Sequence, residues 1–245
     1  MSHTFEFNGK KLSDFGAVIK EAPHYVLSVR EFDFTSMPGK SGNVITDKKR
    51  FKNRTVSYKI SSIPPWCDYD EQRFVYRLSA WLLTSYEYRI LKDTYNTNYY
   101  QRAVCTGITN VAVDAKGAVS ATVTFSCDPF LYSREGLTEI AVNSNNFTIY
   151  NRDNWNSEPI IKLNGNGSFT VSINDEIFNI TLDGTQITVD KPNENVYYTT
   201  TKVDCNDKYS ANIIPELKPG VNTIAVETEN GTNFSMSIIP NWRRL

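Results

Sequence analysis

Residues able to do chemistry are few in this chain, and their spacing gives them little to work with. There are two histidines, His3 and His24, and four cysteines, Cys67, Cys105, Cys127 and Cys205, scattered without a CxxC pair or a disulfide-framework spacing. A Ser–His–Asp hydrolase needs a base beside a nucleophile, and neither histidine accompanies a nucleophile elbow. His24 follows Pro23 and reads as a strand-edge or surface residue. HExxH, glycine-rich phosphate loops, GxGxxG and cysteine–histidine metal spacings are all absent from the sequence. The acidic residues gather at turns, as in Asp175-Glu176 and Asp183, where polar side chains are expected in any case, so no glycosidase-like pair stands out. The expectation is a protein that is not an enzyme, with no catalytic, metal-binding or cofactor-binding residues and no cofactor.

Charge narrows the partners. Twenty-six basic and 27 acidic residues leave a net charge of −1. Gripping duplex DNA or an anionic membrane needs clustered positive charge, which the short run Lys48-Lys49-Arg50 does not supply. MSHTFEFNGKK opens without the charged-then-apolar pattern of a signal peptide, and no apolar run approaches membrane-spanning length. The cysteines are expected to be buried, reduced thiols of a chain made in a cytoplasm. The triplets at Asn146, Asn166, Asn179 and Asn230 then carry no sugar.

The elements follow from periodicity. Within Asp68–Ser85, Phe74, Leu78, Trp81 and Leu82 fall at i, i+4, i+7 and i+8, one face of a helix over about 69–84. They are expected core anchors, with Asp68 as N-cap, Glu71 three residues on, and Pro64-Pro65 blocking any earlier element. Upstream, Phe5 and Phe7 alternate, Asn8-Gly9 turns the chain, and Leu12–Ile19 is expected to return as a strand. His24–Arg30 continues as another. Met37–Gly42 is a flexible turn, after which NVITDKKRFKNRTVSYKI is basic, with apolar residues too sparse for a core strand. An extended hairpin arm over about 34–58 is expected, with Lys40, Val44, Ile45, Arg50, Phe51, Lys52 and Arg54 as candidate contacts to a neighbouring subunit.

Beyond the helix come strands at Tyr86–Leu91, Tyr99–Thr106, Ile108–Val113 and Ala118–Cys127, the last pair joined by Asp114–Gly117. Val119, Ala121, Val123, Phe125 and Cys127 share one face of the final strand, which makes Cys127 a small apolar filler. A domain boundary is placed between 1–133 and 134–245. The second domain has strands separated by Asn-Gly and Asp-Gly turns and no helical period, which argues a β-sandwich or jelly roll. Pro159–Leu163 is expected to pair with Ser168–Ile173 across Asn164–Gly167, and Glu176–Leu182 with Thr185–Asp190 across Asp183-Gly184. Trp242 in the last residues suggests that the end docks on something.

In order and spacing these pieces resemble the distal tail proteins (Dit) of long-tailed siphophages, the siphovirus tail component family. The resemblance rests on FEFNGKKLSDFG, on Pro38–Gly42 (with Lys40 where arginine is usual), and on SAWLL followed by YRILKDTYNTNYYQRAV. It continues through VTFSCDPFLY, SEPIIKLNGNGSFTVSIN, LKPGVNTIAV and the terminal WRRL, so it covers essentially the whole chain. It implies a mainly β protein with two parts. One is an N-terminal sandwich or barrel-like ring-forming domain with one helix and the arm; the other is a C-terminal galectin-like jelly-roll sandwich. It further implies a structural virion protein at the distal tail and baseplate, synthesised in the host bacterial cytoplasm. There it would form a closed, hexameric ring that links the tail tube to tail-tip and baseplate proteins. The arm belts the next subunit, the C-terminal domains hold receptor-binding proteins, and DNA passes only as cargo. Two other classes compete. A carbohydrate-binding module would use aromatic platforms, for which Trp155, Tyr197 and Tyr198 are candidates for glycan or partner contact. A major tail-tube subunit would polymerise openly.

Overall fold

Val119–Cys127 shows why these residues form strands: its buried and half-buried positions alternate without a break from Val119 to Cys127. The computed structural model describes residues 2–62, 71–114, 117–142, 144–211, 213–228 and 233–245. It divides into two compact units, Met1–Leu131 and Tyr132–Leu245.

In the first unit the strands are β1 (Phe5–Phe7), β2 (Lys10–Lys11), β3 (Ala17–Ile19), β4 (His24–Val26), β5 (Arg30–Ser36), β6 (Asn43–Phe51) and β7 (Arg54–Ser62). The helix α1 (Glu71–Leu82) follows, then β8 (Arg89–Asp93), β9 (Tyr99–Val113) and β10 (Val119–Cys127). One antiparallel sheet runs β2-β1-β8-β9-β10-β7-β3, with β4 also on β7. The sheet curls on itself: the Ile19 amide donates to the His3 carbonyl at 2.9 Å, so β3, at one end of the order, meets the residue stretch entering β1 near the other. This barrel-like closure brings Phe5 of β1 within 5.0 Å of the Tyr58 ring on β7 and 5.6 Å of Phe125 on β10. α1 seals the core with Phe74, Leu78, Trp81 and Leu82, all buried. Trp81 stacks on Phe15 at 4.4 Å, and its indole N–H donates to the Phe7 carbonyl at 3.0 Å. Asp68 and Pro64-Pro65 lie outside the described residues.

Several expected boundaries change. Asn8 and Gly9 turn the chain with φ of 50° and 77°, but the return is only Lys10–Lys11. Leu12–Phe15 is a 3-10 turn, in which the Asp14 carboxylate accepts the Lys11 amide at 2.9 Å, and Gly16 ends it at φ 68°. A local carboxylate-to-backbone bond here competes with strand pairing. Of His24–Arg30, only His24–Val26 is strand β4, and β5 begins at Arg30. The strand expected from Tyr86 begins at Arg89, and β9 runs unbroken through Gly107.

β11 (Leu131–Ser133) spans the division between the units. The second unit continues with β12 (Ile140–Val142), β13 (Asn146–Asn151), β14 (Ile160–Ile173), β15 (Glu176–Asp183), β16 (Ile187–Asp190) and β17 (Asn195–Tyr198). The last strands are β18 (Tyr209–Ser210), β19 (Gly220–Thr228), β20 (Phe234–Ile239) and β21 (Arg243–Arg244). Asn164–Gly167 is not a turn. β14 passes straight through it, pairing over Ile160–Gly165 with β20 and β16 and over Asn166–Ile173 with β15 and β19. One strand therefore belongs to both layers of a sandwich, β12-β20-β14-β16-β17 and β13-β19-β14-β15-β18.

Glycine permits the bend. A Cβ on Gly165 would lie 2.7 Å from the Phe169 ring, and Gly167 sits at φ 108°. Asp183-Gly184 likewise does not join a hairpin but carries the chain from β15 in one sheet to β16 in the other; the hairpin turn is Asn174-Asp175, with Asn174 at φ 54°. Ile161, Leu163, Val189 and Ile238 pack with Val171, Phe178, Ile180 and Val226 in the core. The chain's end tucks into its own unit. Trp242 is buried, and the Arg243 guanidinium pairs with Glu158 at 2.8 Å and donates to the Asn156 carbonyl at 2.6 Å. Among the described residues no helix is long and apolar enough to cross a membrane.

Candidate functional site

The arm is a two-stranded sheet of its own, β5 with β6, and it ends at Phe51 rather than at Tyr58. Arg54–Ser62 is a core strand: Val56, Tyr58 and Ile60 are fully buried at every second position, between charged or polar outward residues. That alternation is present in RTVSYKI and is hidden only by the density of basic residues before it.

Pairing fixes the arm's two faces. Phe34 opposes Ile45, and Phe32 opposes Asp47, so Phe32, Phe34 and Ile45 share one face with the Arg30–Asp47 ion pair. The Arg30 guanidinium also lies 5.8 Å from the Phe32 ring and 5.9 Å from that of Phe51. The opposite face is charged. Arg50 donates to both oxygens of Glu31 at 2.8 and 3.2 Å, and Lys48 pairs with Asp33 at 3.0 Å and with Glu31 at 3.6 Å. These bonds hold the Glu31 and Asp47 carboxyls below their usual range, Glu31 chiefly through Arg50 and Asp47 chiefly through Arg30. Arg30, Lys48 and Arg50 thus pair with carboxylates within the arm, whereas its apolar face is uncovered: Phe34 is 62 % exposed and Ile45 61 %. Met37 at the tip and Leu27 and Val29 at the root are exposed as well.

The root is anchored. The Lys52 amide donates to the Val29 carbonyl at 2.9 Å, the Phe51 ring sits edge-on to Phe130 at 6.1 Å, and the Ser28 hydroxyl donates to the Pro129 carbonyl at 2.8 Å. At the tip, Gly39 and Gly42 take φ of 77° and 85°.

The seven sequence candidates therefore fall in different places. Ile45 lies on the apolar face, Val44 and Arg50 on the charged face, Lys40 in the tip turn, and Phe51 and Lys52 at the root. Arg54 is not on the arm. It begins β7, is only 5 % exposed, and its Nε and Nη2 have no acceptor among the described residues. Burial lowers its pKa, partly offset by Cys127, Tyr25, Tyr58 and Asp128 nearby. Phe32, Phe34, Glu31 and Asp33 were missed as contact or scaffold residues, although the alternation in REFDFT marks a two-faced strand.

Elsewhere, Trp155 is half-buried, and its carbonyl accepts from Asn151 at 3.1 Å. Tyr197 donates to Asp190 at 3.2 Å, with the Lys202 ammonium 4.5 Å from its ring centre. Tyr198 donates to Asp183 at 2.9 Å, with Lys208 at 5.2 Å from its ring. Lys208 and Tyr198 together push the Asp183 carboxyl well down. Both tyrosine rings thus have a cation over a face. Cys105, Cys127 and Cys205 are buried and unpaired, with burial pushing Cys105 up to about 11 and Cys127 up to about 12. Among the described residues no group of three His, Cys, Asp or Glu is placed to hold a metal.

No family model and no curated protein sequence matches the chain. Among solved structures it is similar to the crystal structure of the SPP1 Dit (gp 19.1) protein, described as a paradigm of the hub adsorption apparatus in phages infecting Gram-positive bacteria. The TM-score is 0.75, and the match covers 97 % of this chain and 98 % of the other, at 15 % sequence identity. The mainly β, two-part fold is thus shared over essentially the full length of both chains.

Proposed function

We propose that this chain is a structural subunit of the distal tail of a long-tailed phage, closing with other copies of itself into a ring, six copies around a channel for DNA. The observation that carries the reading is the amphipathic arm β5–β6. It is preorganised by its own ion pairs, yet presents Phe34 and Ile45 to solvent, as an element does whose other half is on another molecule. A head-to-tail contact that closes covers this face identically on every copy. The full-length likeness to a phage hub protein supports the same role. So does the near-neutral charge, because a conduit for DNA should not hold it by counterion release. In this reading the tube protein and tail-tip proteins bind the ring, the second unit holds a receptor-binding protein, and the chain performs no catalysis.

The test is Phe34→Ser with Ile45→Ser. Both side chains are exposed in the single chain, so the monomer should keep its melting temperature, while native mass spectrometry should show the ring lost. Rings persisting in the double variant would place the contact elsewhere. Open fibres from the unmodified chain would favour a tail-tube subunit instead.

A further inference from the structure

Arg30 meets Asp47, and Arg50 meets Glu31, through the same two nitrogens, Nε and Nη2. That edge of a guanidinium matches the two oxygens of a carboxylate. Arg54 presents the same two nitrogens, buried, with no acceptor among the described residues. A guanidinium does not shed its proton, and a charge held out of water costs much unless it is paired. The carboxylates around it are engaged elsewhere. Asp93 takes the Tyr58 and Tyr25 hydroxyls on Oδ2 at 2.8 and 3.3 Å, and the Tyr95 and Asn96 amides on Oδ1 at 2.9 and 2.8 Å. Asp128 accepts the Phe130 amide at 3.0 Å and does not reach Nε or Nη2 of Arg54.

Strand register places this edge at the root of the arm. Val26 pairs with Thr55, and the Lys52 amide donates to the Val29 carbonyl at 2.9 Å. The chain therefore keeps one register from β4 to the root and sets Leu27 across from Arg54. Leu27 is 73 % exposed, and Val26 and Val29 beside it are exposed as well. A side chain with so few neighbours gives way at little cost, which leaves a route to the guanidinium from outside.

We infer that Arg54 receives an aspartate or glutamate side chain from another copy of this chain. A carboxylate supplies two oxygens to the orphaned edge and one charge to offset one charge; a phosphate would bring more charge than a single guanidinium offsets. A free acid would leave Val26, Leu27 and Val29 in water, whereas a chain segment with apolar residues beside its carboxylate covers them. Another copy is the source because the run adjoins the root of the arm, and a closing ring brings the same segment to every Arg54. The inference rests on the ring reading and adds a second contact to it. Being buried, such a pair is little screened, so it adds little salt dependence.

The experiment has two arms, both on the intact chain. Native mass spectrometry follows ring dissociation on dilution for the unmodified protein, Arg54→Met and Arg54→Lys. Both variants should dissociate at concentrations about tenfold or more higher, the lysine because it keeps the charge without the two-pronged edge. In the Phe34→Ser, Ile45→Ser background, Arg54→Met should leave the urea midpoint unchanged or raise it, since it removes a buried, unpaired charge. In that background, too, sodium propionate or acetate, the head groups of glutamate and aspartate, should raise the melting temperature above that in equal sodium chloride. Arg54→Met should abolish the rise. A urea midpoint lowered by Arg54→Met, or no effect of either carboxylate, overturns the inference. Rings indifferent to Arg54→Met overturn it while the ring reading stands. An unmodified protein without rings overturns the ring reading, and another copy as the source with it.

Discussion

Trp81 and Tyr58 show how single side chains hold the first unit together. The Trp81 indole is stacked on Phe15, lies 5.7 Å from Phe5, and donates into β1. Trp81→Ala should therefore cost about 3–5 kcal/mol, read as a lower urea midpoint; an unchanged midpoint would mean that the helix does not seal the core. Tyr58 is buried and donates to the Asp93 carboxylate at 2.8 Å, where Tyr25 also donates at 3.3 Å. The backbone amides of Tyr95 and Asn96 complete the shell around that carboxylate at 2.9 and 2.8 Å. Desolvation first, and the Asp93 charge second, raise the pKa of both phenols above the ordinary 10.0. The folded chain thus keeps protons that the unfolded chain releases. The stability this represents is fully present below about pH 10 and is lost as pH rises from there through the folded-state pKa. Unfolding free energy should accordingly fall more steeply above pH 10 in the unmodified protein than in Tyr58→Phe. Parallel curves would show that the phenol is not held in this way.

At the scale of elements, β14 is the piece on which the second unit turns, because one strand supplies both sheets. Gly165→Ala would drive a methyl against the Phe169 ring, which is buried and packed against Phe234 at 6.1 Å. A loss of about 1–3 kcal/mol is expected from such overpacking, measurable by thermal denaturation, whereas no loss would mean that the bend tolerates a side chain. β14 also shows what could be seen in the sequence and what could not. Strict alternation made β10 legible, and the spacing of Phe74, Leu78, Trp81 and Leu82 made α1 legible, since burial alone determines both patterns. Asn164–Gly167 and Asp183-Gly184 were misleading because a strand changing sheets needs the same glycine freedom as a hairpin turn, and only distant pairing tells them apart. β7 was obscured by the charges around it, and Arg54, which composition assigns to the surface, is inside. The arm's location and tip turn were legible; its two faces were not, because they depend on the register that sets Phe34 against Ile45. That register also bears on salt. Since Arg50 is matched by Glu31 within the arm and the proposed contact is apolar, assembly should depend little on ionic strength. Dissociation rising steeply with added salt would point to inter-subunit ion pairs instead.

At the scale of the whole molecule, the barrel-like unit with its arm and the two-sheet sandwich are proposed as two parts of one assembling subunit. In the proposed ring the exposed apolar face of the arm is closed by another copy of the same chain. Native mass spectrometry of the intact purified protein tests this most directly, with negative-stain images of the same sample. A single closed species is expected, a hexamer or two hexamers back to back, seen as rings with a central channel. A protein that remains monomeric at high concentration, with Phe34 and Ile45 still open to solvent, would contradict it.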